Sequence, residues 1–163
     1  MKKQRIVLNL IVTAMTASPV WSEDLVFRTV APCVAFDTRP AFGGTGPLAA
    51  EEVRSFHIVG SSSNFAAQGG AAGGCGVPGF SGGQPIVQAV FVNYVAIAAQ
   101  GPGQLKVWAA DQTEPDQGGI VNYQLLSPAM NNSNGVITAV RQDVEGADIK
   151  VRARNSSVPF DCP

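Results

Sequence analysis

Short apolar or alternating runs, each bounded by glycine, proline or polar residues, recur along this 163-residue chain, and that rhythm narrows the folds open to it more than any other feature. The runs cover residues 25–30, 53–59, 86–98, 104–109, 119–125, 135–140 and 148–153. Runs of this length between turn signals read as strands. The chain is rich in Gly, Val, Ala and Ser and sparing with Glu, Lys and Leu, the residues that build helices. Alternation is clearest where Leu105, Val107 and Ala109 interleave with Lys106, Trp108 and Ala110, and where Ile149, Val151 and Ala153 interleave with Lys150, Arg152 and Arg154. The second of these is a strand with one wet face, because every other residue is charged. Residues 87–98 are almost continuously apolar and belong in the middle of the structure, with Gln88 and Asn93 needing polar partners there. About seven or more strands in one domain give an all-β expectation, a single antiparallel β-sandwich.

The N-terminus reads as a removable export signal, residues 1–22. Lys2, Lys3 and Arg5 precede an apolar run, Ile6 to Met15, that is too short to span a bilayer, and a polar stretch ends Val20-Trp21-Ser22. Cleavage after Ser22 places small or branched residues at the peptidase's two specificity positions, whereas a cut after Ser18 would put Pro19 beside the scissile bond. Residues 23–163 then form one domain with one core. The loss removes three of eleven basic residues and none of the twelve acidic ones, leaving eight against twelve, a formal charge of −4. Such a chain lacks the clustered basic footprint of a nucleic-acid binder, and nothing after residue 22 is long and apolar enough for a membrane-spanning helix. The location expected is periplasmic, cell-surface or secreted.

Residues 60–83 are crowded with Gly, Ser and Ala and are expected to form a long, mobile loop. A phosphate cradle is excluded there, because no Lys-Ser or Lys-Thr follows the glycines and no helix-forming segment is expected to begin. Three cysteines, Cys33, Cys75 and Cys162, travel to an oxidising compartment, so one disulfide and one leftover thiol are expected. Proline and glycine flanks favour Cys33 with Cys75 and leave Cys162 over, while Cys33 with Cys162 is the rival. No Cys-x-x-Cys pair suggests a metal site, and no cofactor is implied.

The run Pro32-Cys33-Val34-Ala35-Phe36-Asp37-Thr38-Arg39 resembles the Pro-Cys-Arg-x-x-Asp-Thr-Arg signature of a family of secreted bacterial β-rich domains, mostly uncharacterised. The resemblance continues through Gly46-Pro47-Leu48, Phe56 with Gly60, Cys75-Gly76-Val77-Pro78, Ala89-Val90 with Asn93, Gly103-x-Leu105-x-Val107-Trp108 and Asn122-Tyr123. It implies a β fold, export and the Cys33–Cys75 pairing, and it brings no activity with it. Val34 stands where the family's arginine is usual, and Phe160-Asp161-Cys162-Pro163 replaces a longer closing strand. A short or absent closing strand would leave a sheet edge open to another chain.

Four groups of residues are candidates for chemistry. Asp37 and Arg39, two apart on an extended segment, either grip a ligand or hold loop backbone beside the disulfide, and the second is the expected role. Trp108, with Tyr94 and Tyr123, could stack on a sugar ring, Trp108 first because alternation puts it opposite Leu105 and Val107. Asp111, Glu114 and Asp116 form a weak calcium candidate on a turn-rich segment whose spacing is not that of an EF-hand, so a solvated acidic turn is preferred. His57, the single histidine, could make a triad with Asp37 and Ser61, Ser62 or Ser63, but no Gly-x-Ser-x-Gly elbow accompanies it, and an ordinary strand histidine is the expectation. Paired glycosidase carboxylates are not evident. The function expected is that of a non-catalytic surface module for adhesion or assembly, with another protein chain or a surface glycan as partner. A carbohydrate-binding domain is the alternative, and an exported hydrolase a remote one.

Overall fold

The computed structural model describes residues 26–61, 63–124, 131–155, 158 and 160–162; the expected signal, residues 1–22, lies outside them. Ten strands follow in order: β1 Phe36–Asp37, β2 Val53–Phe56, β3 Phe80–Ser81, β4 Gln84–Pro85, β5 Ala89–Ile97, β6 Gly103–Ala109, β7 Val121–Tyr123, β8 Asn131–Ala139, β9 Ile149–Arg154 and β10 Phe160–Cys162. A 3-10 turn at Pro40–Phe42 and one short helix, α1 Ser63–Ala67, interrupt them. The chain is therefore all-β, and among the described residues every strand pairing is antiparallel. Among the described residues no helix is long and apolar enough to cross a membrane.

Two four-stranded sheets carry the fold, ordered β1-β10-β5-β8 and β2-β9-β6-β7, with β3 and β4 making a separate hairpin. In β9 the alternation read from the sequence becomes a face: Ile149, Val151 and Ala153 are buried, while Lys150, Arg152 and Arg154 look the other way. Their neighbours agree in register, with Val151 opposite Val107 and Arg152 opposite Lys106. One cluster of buried residues draws on both sheets, Val92, Tyr94 and Ala96 from β5 and Leu105, Val121, Ile149 and Val151 from the other. The rings of Phe36 in β1 and Phe56 in β2 stack at 4.2 Å between centroids, which fixes where the two sheets meet at one end. Removing this much aliphatic and aromatic surface from water is the main force holding the layers together.

Three expectations are corrected. Residues 26–30 form no strand, and Val26 and Phe27 stand exposed. The closing strand is short but present: β10 lies between β1 and β5, so it is not an open edge, and the outer strands of that sheet are β1 and β8. Segment 60–83 is not a featureless loop, because α1 begins within it and buries Phe65. The Gln68 amide beyond α1 donates to Ala35 O and His57 O and accepts from His57 N, tying the segment to both sheets. Gly69 and Gly70 pass so close to the carbonyls of Asp37 and Ala35 that a Cβ at either would overlap them. The glycines thus serve close backbone approach rather than freedom of movement.

Candidate functional site

Near the start of the described chain, Cys33 and Cys75 form a disulfide with Cα atoms 5.7 Å apart, the favoured pairing. Cys162 lies in β10 with Phe36 as its backbone partner. A disulfide and the lack of a membrane-crossing helix among the described residues suit an extracellular or periplasmic location. Four residues past Cys33, buried Asp37 accepts from Arg39 three ways: from the backbone N–H at 2.9 Å, from Nε at 3.0 Å and from Nη2 at 2.6 Å. The guanidinium lies 4.2 Å from the centre of the Phe42 ring. Both oxygens of Asp37 are engaged with Arg39, so the pair closes its own turn.

The aromatic platform does not exist on the surface. Tyr94 and Tyr123 are buried, their hydroxyls meeting Thr138 Oγ1 at 3.0 Å and Arg154 O at 3.4 Å. Trp108 is only 9% exposed, so it presents no open face to a sugar. Alternation gave its side of the strand correctly, opposite Leu105, but could not show what covers that side. The cover of neighbouring Lys106 is visible: segment 111–119 crosses over it, and Nζ donates to Pro115 O at 2.7 Å and Asp116 O at 3.1 Å.

The same segment disposes of the calcium candidate. Glu114 sits among cations, 2.8 Å from Arg152, 3.6 Å from Arg154 and 3.7 Å from Lys106. Asp111 accepts from Gln142 N, and Asp116 meets Lys106 through its backbone oxygen. The three carboxylates do not converge, and among the described residues no group of three or more His, Cys, Asp or Glu is placed to hold a metal. The wet face of β9 is therefore partly roofed by an ion-paired loop.

His57 lines a pocket of about 160 Å³ with Ser61, Asn64, Phe80, Glu145 and Asp148. Its Nε2 lies 3.1 Å from the Asn64 side-chain nitrogen, not from a serine. Ser63 belongs to α1, and Ser62 lies outside the described residues. The acid beside the histidine is Asp148, which the sequence reading did not select. Asp148 is 2% exposed, and its Oδ2 accepts the N–H groups of Ile58 at 2.7 Å and Val59 at 2.9 Å. Burial pushes its carboxyl above the usual range, against the pull of those N–H groups and of His57 and Arg141. Asp148 also donates its N–H to Phe56 O and accepts from Ala110 N and Arg141 N at its carbonyl. It fastens the ends of four strands, which is a structural task.

One surface remains that none of the sequence candidates touched. Residues 86–98 and 131–140, which include β5 and β8, contain no Asp, Glu, Lys or Arg. On the side away from the core, Phe91 pairs with Ile137 and Ala89 with Ala139. Phe91 is 62% and Ile137 77% exposed. The Phe91 ring lies over Gly135, diagonally across the ladder, where a Cβ would come within 2.7 Å of its Cζ. The result is an exposed apolar patch on a charge-free pair of strands.

Comparisons with family models, with curated proteins and with solved structures found no match to this chain. What fold and surface define together is a class: an all-β, disulfide-pinned domain that exposes an uncharged apolar sheet face. The signature at residues 32–39 stands on the sequence alone.

Proposed function

We propose that the chain is an exported, non-catalytic adhesion or assembly module whose working surface is the outer face of β5 and β8. The observation that carries this is the exposed Phe91–Ile137 pair on strands without a charged residue. Leaving such side chains in water forgoes roughly 1.5–3 kcal/mol each compared with burial, a cost that binding would recover. The export signal, the disulfide and the secreted-domain resemblance support the extracellular setting. The glycan reading rested on an open Trp108 ring, and burial of that ring removes its support.

Beads coated with residues 23–163 test the proposal, scored for attachment to one another and to the surface of the producing cells. Phe91→Ser and Ile137→Ser are expected to abolish attachment, while Val144→Ser, another exposed apolar site elsewhere, leaves it intact. Attachment indifferent to the first two would place the working surface elsewhere.

A further inference from the structure

We infer that β8, the outer strand of this face, pairs with β8 of a second copy of the same chain, joined edge to edge about a twofold axis. The β1-β10-β5-β8 sheet then continues across the interface into the second copy. The inference rests on the reading of β5 and β8 as the working surface and adds that two copies join there through the β8 edge, bringing their outer faces side by side.

Edge strands carry unpaired backbone groups and are normally guarded by shortness, lysine, proline, a bulge or a covering group. Among the described residues, three of the four outer strands of the two main sheets carry such guards. β1 has two residues. β2 has four, and its Arg54 reaches out to Glu52, Thr45 and the carbonyls of Gly46 and Pro47. β7 has three, and the side-chain amides of Asn132 and Asn134 cap the carbonyls of Asn122 and Ile120 on and beside it. β8 is the exception. It runs nine residues, contains neither charge nor proline, and pairs with β5 in unbroken register without a bulge. No described strand lies on its other side.

Charge selects the occupant. The domain without its signal carries a formal −4, so two copies repel unless they meet where neither presents charge. β8 and β5 are that place. An antiparallel strand is also its own complement about a twofold axis, which closes the assembly as a dimer and prevents fibre growth. Full overlap of nine residues is reached in one register only, with Gly135 opposite Gly135, so that Asn131 faces Ala139 and Ser133 faces Ile137 of the other copy. In that register the two Phe91 rings, each lying over its own Gly135, flank the axis and extend one apolar strip across both molecules.

Sedimentation equilibrium on residues 23–163, with the disulfide formed and Cys162→Ser in the background, is the first test. The parent is expected to be a dimer. Ile137→Lys supplies the missing guard and should weaken association roughly a hundredfold or more, while Val144→Lys should not. The double variant Ser133→Cys with Ile137→Cys should cross-link into dimers on oxidation, because directly opposed strand residues lie within disulfide reach, whereas Ser133→Cys alone should not. Circular dichroism and intact mass verify that each variant is folded and oxidised; the cysteine pair remains decisive if Ile137→Lys does not fold. A parent that stays monomeric at every concentration, or a dimer that neither the lysine nor the cysteine pair reports, overturns the inference. A monomer whose bead attachment still depends on Phe91 would sink the twofold dimer alone and keep the face as the working surface; a dimer indifferent to Phe91 and Ile137 would sink both.

Discussion

Asp148 offers the sharpest test of how this fold is held, because its two neighbouring substitutions should behave in opposite ways. Asp148→Ala removes the acceptor from the N–H groups of Ile58 and Val59, whose residues are both buried. Each orphaned donor costs about 1–3 kcal/mol, so the variant should lose about 2–6 kcal/mol. Asp148→Asn keeps an oxygen in place for both donors and removes a charge that burial penalises. It should therefore lie within about 1 kcal/mol of the parent at neutral pH. The pH dependence separates the two terms. A carboxyl whose folded pKa is raised binds its proton more readily when folded, so its contribution is fully present below the ordinary value of 3.8 and is lost as pH rises through the folded value. Asp148→Asn should abolish that loss and make stability flatter as pH climbs from below 3.8 toward neutrality. Urea unfolding monitored by circular dichroism, with the disulfide intact, measures all of this. An alanine variant within about 1 kcal/mol of the parent, or an asparagine variant as damaged as the alanine one, would refute the argument.

Other expectations are quickly checked. Once residues 1–22 are removed Trp108 is the sole tryptophan, so emission should be blue-shifted and poorly quenched by iodide; a red, readily quenched signal would restore it as a surface ring. Lys106→Ala should cost about 1.5–3 kcal/mol and open segment 111–119 to protease, since the carbonyls of Pro115 and Asp116 lose a buried ammonium donor while Glu114 keeps Arg152 and Arg154. Cys75→Ser should cost about 4 kcal/mol in the chain-entropy account of a disulfide spanning 42 residues, read from urea midpoints.

The parts of the fold legible in the sequence are those where side chains alternate long enough to show a period. Gly103 to Ala109 and Ile149 to Arg154 announced themselves in this way, and residues 86–98 did so by sheer apolarity. β1 and β10, at two and three residues, are too short to carry any period. Asn131 to Asn134 have poor strand propensity, and pairing with β5 decides their state. α1 is hidden among glycines, with Phe65 as its single large apolar cue. For the site, the pattern told which way Trp108 faces, yet cover by a distant loop is a tertiary fact. Asp148 was invisible because the backbone it binds lies 89 and 90 residues away. The uncharged character of residues 86–98 and 131–140 was readable all along, but only pairing of β5 with β8 turns two neutral stretches into one surface.

The place of β10 between β1 and β5 bears on biogenesis. A nascent polypeptide truncated anywhere before residue 160 cannot finish that layer, so ribosome-bound intermediates keep its partners apart. Delayed completion of this kind suits the export proposed above, in which the polypeptide would thread a translocation pore as a linear filament and consolidate on the far side.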